Sequence, residues 1–271
     1  MPELPEVETT RRGIQPHIQG QTIQDIIVRD HRLRWPVPRN LNAKLQGKTI
    51  LDIGRRGKYL LLTTTSGSLI IHLGMSGSLR VVACDTPPAK HDHVDIVLDN
   101  RQCLRLRDPR RFGAVLFSDR DPMQHELLRD LGPEPLDKAF NEEYLFHKSR
   151  KRKACIKAFI MDSHIVVGVG NIYANEALFA AGIHPRRAAG KVTRAQYGLL
   201  VQAIKAVLRA AIKAGGTTLR DFIRSDGKPG YFRQSLQVYA REGEACPNCG
   251  KPISQAVIAQ RATYYCTHCQ H

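Results

Sequence analysis

Apolar residues in the first twenty positions recur at helical spacing. Leu4, Val7, Ile14 and Ile18, with Arg11 on the same stripe, lie three, four and seven apart, which lines one face of a 3.6-residue helix. Pro2 and Pro5 are compatible with that helix because they fall before or within its first turn, and Gly20 supplies its stop. From about residue 21 to 118 the pattern shortens to β-rich runs at 22–29, 49–53, 59–65, 68–73, 78–83, 93–98, 103–107 and 113–117, punctuated by Gly, Asn-Arg and Ser-Gly. Eight closely spaced short strands with no helical periods between them predict a sandwich or barrel of mainly antiparallel strands. Gly132-Pro-Glu-Pro135 then reads as a hinge, since two prolines block regular structure.

Beyond the hinge the helical period returns. A pair of helices is expected around 142–161 and 172–181, the second closed by Gly182 and Pro185. Thr193 and Gln196 form a capping-box signature, followed by Tyr197, Leu200, Val201, Ile204, Val207, Leu208 and Ala211 on one face, with Gly215-Gly216 as the stop. The last 35 residues are a small module around cysteines, and no internal repeat is present. The pattern as a whole predicts an α+β chain: a leading helix, a β-domain, a helical domain and a terminal module.

Composition narrows the partners. Lys plus Arg total 41 against 25 Asp plus Glu, a formal charge of +16 over 271 residues, with 42% hydrophobic residues. That apolar content suits a folded protein. No apolar run approaches a membrane span, and the acidic start from Met1 to Glu6 has no signal-peptide core. A soluble intracellular protein with a polyanionic partner is expected, nucleic acid first and a membrane face second.

Of seven cysteines, Cys84, Cys103 and Cys155 stand alone, while Cys246-Pro-Asn-Cys249 and Cys266-Thr-His-Cys269 form two knuckles 16 residues apart. Four thiolates at this spacing suit one closed, structural Zn²⁺ site in a reducing compartment. Residues 255–265 between the knuckles predict a hairpin with Gln260 and Arg261 near its turn. Arg150-Lys-Arg-Lys153 is the densest basic cluster. It is either a solvated helix face or part of a nucleic-acid surface, and Val167-Gly-Val-Gly-Asn171 favours the latter. A glycine-rich turn opening a helix offers backbone N–H groups to phosphate, and Asn171 can cap the helix or turn its amide to the same phosphate.

A small residue after Met1 normally allows its removal, which would leave Pro2 as a secondary amine. An α-amine has a pKa near 8. The helix dipole disfavours its charged form, whereas Glu3 and Glu6 push the other way, so the net direction stays open. A neutral amine can attack a sugar carbon and form an iminium. Glu3 and Glu6, three apart on one helical face, are either proton-transfer groups for that chemistry or simply acids complementing a helix start.

Pro2-Glu-Leu-Pro-Glu6 with Val7-Glu8-Thr9, Arg56-Gly-Lys58-Tyr59, Gly74-Met-Ser-Gly77, Asp108-Pro-Arg-Arg-Phe112, Gly168-Val-Gly-Asn171 and the zinc module together resemble the bacterial formamidopyrimidine-DNA glycosylases from first residue to last. Leu4 and the residues Met75, Arg110 and Phe112 set the chain apart from the endonuclease VIII relatives. The resemblance implies an N-terminal β-sandwich with a leading α-helix (1–133), a helix-two-turns-helix DNA-binding domain (134–236) and a C4 zinc finger (237–271). It implies a bifunctional DNA glycosylase/AP lyase of base-excision repair. Such an enzyme excises 8-oxoguanine and formamidopyrimidines from double-stranded DNA, then cuts the strand by β,δ-elimination.

By the same resemblance Pro2 is the nucleophile, Glu3 the proton donor to the sugar and Glu6 part of the relay. Lys58 serves base excision and β-elimination, although a lysine at its ordinary pKa does little near pH 7 beyond clamping a phosphate. Arg261 serves δ-elimination or equally holds a phosphate, since arginine hardly ever gives up a proton. Met75, Arg110 and Phe112 fill the hole left by the flipped base, with Arg110 facing the orphaned cytosine. His91, Arg152, Lys157 and Asn171 contact the DNA backbone, and residues 217–231 form a lid. One structural Zn²⁺, a monomeric state and a cytoplasmic, nucleoid-associated location complete the expectation. A DNA-binding scaffold without chemistry would share the basic run, glycine loop and zinc module, but would have no use for a free N-terminal proline beside Glu3.

Overall fold

The N-terminal stripe folds as α1 (Leu4–Ile18), with Glu3 at its N-cap in extended backbone and Pro5 in the first turn. The β-rich runs become two four-stranded antiparallel sheets. One has the order β1 (Ile23–Val28), β6 (Asp92–Leu98), β7 (Gln102–Arg107), β5 (Ser78–Ala83). The other runs β2 (Ile50–Arg56), β3 (Tyr59–Thr64), β4 (Gly67–His72), β8 (Ala114–Ser118). An apolar cluster joins them: Ile26, Ile96, Leu104 and Leu106 from the first sheet meet Ile53, Leu60, Leu62, Leu69, Ile71 and Val115 from the second. Leu60 and Leu62, like Leu69 and Ile71, alternate along their strands, the period that turns every second side chain inward. Val7, Ile14 and Ile18 of α1 enter the same cluster. Each such side chain contributes ~1.5–3 kcal/mol by leaving water, so the apolar stripe anchors the helix on the sandwich. The predicted sandwich with a leading helix is thus the observed arrangement.

The computed structural model describes residues 2–217 and 235–271. The chain divides into two compact units, Met1–Arg129 with Ala214–Arg233 and Asp130–Lys213 with Gln234–His271. One element of the first unit escapes the pattern. A five-residue helix α2 (Leu41–Leu45) buries Leu41 and Leu45, and it is too short to leave a periodic trace.

In the second unit, α3 (Glu142–Ser149), α4 (Ile156–Met161), α5 (Asn171–Ala180) and α6 (Arg194–Lys213) are followed by a hairpin of β9 (Ser254–Ile258) and β10 (Arg261–Tyr265). The expected capping box is present: Gln196 N–H donates to Thr193 Oγ1 at 3.2 Å and Thr193 N–H to Gln196 Oε1 at 3.1 Å. The helix expected over 142–161 is broken into α3 and α4, which corrects the sequence expectation. Arg150 leaves the helix in an extended conformation and Lys151 is left-handed, φ 63°. The Arg150 guanidinium sits over the Phe146 ring and donates to Phe146 O and Val192 O at 3.0 and 2.9 Å, holding the break in place. The basic run therefore lies in a turn and not on a helix face. Gly132-Pro-Glu-Pro135 is seated within the second unit, with Gly132 N–H donating to Ser163 O and Val167 N–H to Pro133 O.

Candidate functional site

The start of α1 gathers Pro2, the N-cap Glu3 and, in the first turn, Glu6. All three are buried, and the carboxylates are only 2% exposed. Glu6 Oε2 accepts the Glu3 N–H at 2.8 Å, and Glu6 Oε1 accepts the Thr217 N–H at 2.8 Å. A helix start offers unpaired N–H groups and partial positive charge, which favours carboxylates there. Glu6 thus ties the backbone beside Pro2 to residue 217, the first residue of the expected lid. Residues 218–231 of that lid lie outside the described residues.

Lys58 occupies a two-residue turn. Arg56 pairs with Tyr59 at the end of the β2–β3 ladder, leaving Gly57 and Lys58 between them, and Gly57 takes the left-handed φ of 57° that such hairpin turns need. Beside it stands His72, which motif reading did not single out. Its ring packs on Tyr59 at 4.8 Å and its Nδ1 accepts the Gly74 N–H at 3.0 Å. Burial, reinforced by the positive charges of Lys58 and Arg34, pushes His72 down to about 4. It is therefore neutral at pH 7, with Nδ1 the acceptor and Nε2 carrying the proton.

Met75, Arg110 and Phe112 come from two turns that pack on each other. Gly74, φ 65°, admits no side chain: a Cβ there would sit 2.5 Å from Gly113 N and from the Phe112 carbonyl carbon. Asp108, fully buried, organises both turns. Its Oδ2 accepts the Gly113 N–H at 2.7 Å, and its Oδ1 accepts from Ser76 Oγ and Arg110 N–H, each at 3.3 Å. His93 Nε2 lies 2.9 Å from its carbonyl oxygen. Above this base the Arg110 guanidinium lies 4.9 Å from the Phe112 ring centre, and Phe112 remains 43% exposed. An exposed ring held rigidly from below has the form of a wedge. The signal for Asp108 was its place at the head of the Asp-Pro-Arg-Arg-Phe motif; its role needed the turn geometry. His91 sits in the loop before β6, where its carbonyl accepts the Asp108 N–H at 3.0 Å.

In the second unit the expected DNA contacts separate into two kinds. Arg152 is exposed in the turn between α3 and α4, with its carbonyl accepting the Gly190 N–H at 3.0 Å. Lys157 is fully buried: its ammonium donates to Thr263 Oγ1 at 2.6 Å and Ala262 O at 3.2 Å. Lys157 is expected from sequence to contact the DNA backbone, and here its buried ammonium holds β10. Asn171 does the same, donating from Nδ2 to Ala262 O at 3.0 Å. It is the first residue of α5, and Gly170 takes the N-cap position considered for it. Arg261 is exposed at the start of β10, and the turn before it is Ala259–Gln260, both left-handed.

The four cysteine sulfurs converge within 4.8 Å of one another, with Cys246–Cys269 at 3.9 Å and Cys249–Cys266 at 3.5 Å. Tetrahedral Zn–S bonds place sulfurs about 3.8 Å apart, so the donor set fits one zinc ion with no open position. Cys103 lies elsewhere. Burial, then the Asp95 carboxylate, pushes its thiol up to about 12, which makes it inert. Among the described residues no helix is long and apolar enough to cross a membrane.

Three family models match in order: the formamidopyrimidine-DNA glycosylase N-terminal domain over residues 1–115, its H2TH domain over 131–223, and a zinc finger found in FPG and IleRS over 243–271. A formamidopyrimidine-DNA glycosylase of Nitrosococcus oceani is 60% identical over 271 residues, spanning all of both chains. That of Saccharophagus degradans is 58% identical over 270 residues, again spanning both. The crystal structure of the MutM (Fpg) protein of Thermus thermophilus is 41% identical with a TM-score of 0.89, covering 99% of this chain and 98% of that one. Lactococcus lactis Fpg bound to DNA with an abasic site is 36% identical with a TM-score of 0.91, covering 99% of each chain.

Proposed function

We infer the division of labour in this site from one premise: the chain belongs to the formamidopyrimidine-DNA glycosylase family. It is a base-excision repair glycosylase with associated AP lyase activity that acts on damaged bases in DNA, and it carries one structural zinc. With Met1 removed, the Pro2 amine attacks C1′ of the damaged nucleotide. The N–C1′ bond forms and the glycosidic bond breaks with its electron pair on the departing base, which takes up the proton that the amine nitrogen releases. Glu3 delivers a proton to the sugar ring oxygen as the ring opens to the iminium. The resulting iminium acidifies C2′, so loss of that proton expels the 3′ phosphate and a second elimination expels the 5′ phosphate. Glu6 keeps the Glu3 backbone in place and takes part in the proton relay. Lys58 serves excision and β-elimination, and Arg261 serves the δ-step or holds its phosphate.

Met75, Arg110 and Phe112 fill the space left by the extruded base, at a cost of a few kcal/mol of stacking that their contacts offset. Arg110 takes the orphaned cytosine because its donors meet that base's acceptors. His91 and Arg152 contact phosphates directly, whereas Lys157 and Asn171 act on the backbone through β10. The substrates are 8-oxoguanine and formamidopyrimidines. The functional modules are 1–133, 134–236 and 237–271, and the enzyme works as a monomer on nucleoid DNA in the cytoplasm. One lesion needs only one chain.

The observation that carries this reading is the buried Glu3–Glu6 pair at the helix start directly after Pro2. Borohydride reduction during turnover on an 8-oxoguanine duplex tests it. A covalent adduct mapped by mass spectrometry to Pro2 is expected, lost in Pro2→Gly and when Met1 is retained. Glu3→Gln is expected to slow base release more than it weakens binding. An adduct on another side chain, or none, overturns the assignment.

A further inference from the structure

Glu8 has no part in the roles above, yet its carboxylate is gripped by three guanidinium groups. Oε1 accepts from Arg11 Nη2 at 2.9 Å and Arg12 Nε at 2.7 Å, while Oε2 accepts from Arg11 Nε at 3.1 Å and Arg55 Nε at 3.2 Å. Burial opposes the charge, but Arg11, Arg12 and Arg55 outweigh it and hold Glu8 at about 2. Arg11 and Arg12 lie on Glu8's own helix. Arg55 comes from β2, and from its other edge Nη1 donates to Gly57 O at 2.7 Å. Arg11 Nη1 adds a bond to Ile53 O at 3.2 Å.

A charged seam between helix and sheet is an expensive way to gain stability, since apolar side chains of similar volume pack as well or better. What the seam supplies is direction. The Gly57 carbonyl and the Lys58 nitrogen share one rigid peptide plane, so holding Gly57 O sets the orientation from which the Lys58 side chain departs. The left-handed Gly57 gives that plane no steric reference of its own. The guanidinium bridge supplies one, referred to α1, which Pro2 and the N-cap Glu3 directly precede.

We propose that Glu8 and Arg55 are positioning residues that fix the Lys58 turn against the helix bearing the nucleophile. This inference rests on the role given to Lys58 above. Misplacing a reacting group by 1 Å can cost about 10²-fold in rate, and loosening one peptide plane should cost less.

The test uses the full-length, zinc-loaded enzyme and four variants: Glu8→Gln, Arg55→Lys, Lys58→Met and the Arg55→Lys/Lys58→Met double. Arg55→Lys keeps a cation beside Glu8 but cannot hold Glu8 and Gly57 O together, so it carries the test should Glu8→Gln fold poorly. Single-turnover release of 8-oxoguanine is measured, alongside Kd for a duplex bearing a tetrahydrofuran abasic analogue. Glu8→Gln and Arg55→Lys are expected to slow release about tenfold with Kd within about twofold, and Arg55→Lys should add no loss on top of Lys58→Met. A parental rate in Arg55→Lys, or a loss that multiplies with that of Lys58→Met, overturns the positioning role alone. A parental rate in Lys58→Met would instead remove the role of Lys58 and the inference with it.

Discussion

Asp108 and His72 show how much of this site is held by residues that need not touch substrate. Asp108 accepts from Ser76, Arg110 and Gly113 and so fixes the turns beneath Met75 and Phe112. Replacing it would leave buried N–H groups unpaired, at ~1–3 kcal/mol each. His72 offers a pH handle. Its native value near 4 lies below the ordinary histidine value of 6.5, because burial and then Lys58 and Arg34 disfavour the imidazolium. The unfolded chain therefore binds the extra proton first. The stability His72 contributes is fully present above pH 6.5 and declines as pH falls toward 4, by at most ~1.4 kcal/mol per pH unit. Urea unfolding at pH 7 and pH 5 should show a smaller pH-dependent loss in His72→Gln, which keeps an acceptor for Gly74 N–H. An unchanged difference between the two pH values would contradict the assignment of a buried neutral imidazole.

The β9–β10 hairpin is an element that cannot stand alone. Its turn places Ala259 and Gln260 at φ 50° and 59°, where Asn-Gly is the usual solution, and each non-glycine residue there costs on the order of 1 kcal/mol. Docking compensates for that strain. Lys157 and Asn171 hold Ala262 and Thr263, and Asn175 Oδ1 accepts the Tyr264 N–H at 2.8 Å. On the other side Cys246 and Cys266 pack with Phe179, Val238 and Ile253. A module with so small a core depends on its metal. Zinc removal with a strong chelator should raise amide exchange throughout 243–271, weaken DNA binding and suppress strand cleavage, with recovery when zinc is restored. Full affinity in the stripped protein would show that the hairpin is set by docking alone.

At the scale of the whole molecule the governing quantity is charge. A formal +16 on 271 residues draws the protein to DNA regardless of sequence. Arg152 is exposed in the turn between α3 and α4. Arg152→Ala is expected to lower affinity alike on unrelated duplexes and to flatten the dependence of log K on log salt by about one unit, the signature of one lost phosphate contact. A selective loss on one sequence, or an unchanged slope, would argue against that contact.

Several features were legible in the chain because short-range physics sets them. The apolar stripe of α1, the short β-rich runs of the strands, the Thr193–Gln196 cap and the paired cysteine knuckles each depend on neighbours a few positions away. The side chains of the site were legible only through their motifs. Tertiary structure alone decided the break at Arg150, where bonds to Phe146 and Val192 outweigh helical continuation. It also decided that Lys157 turns inward to β10, and that Glu8 reaches the Lys58 turn through an arginine 47 residues away. Periodicity reports which side of an element is dry. What a buried charge is bonded to depends on which distant segment fills the space opposite, and no local pattern encodes that.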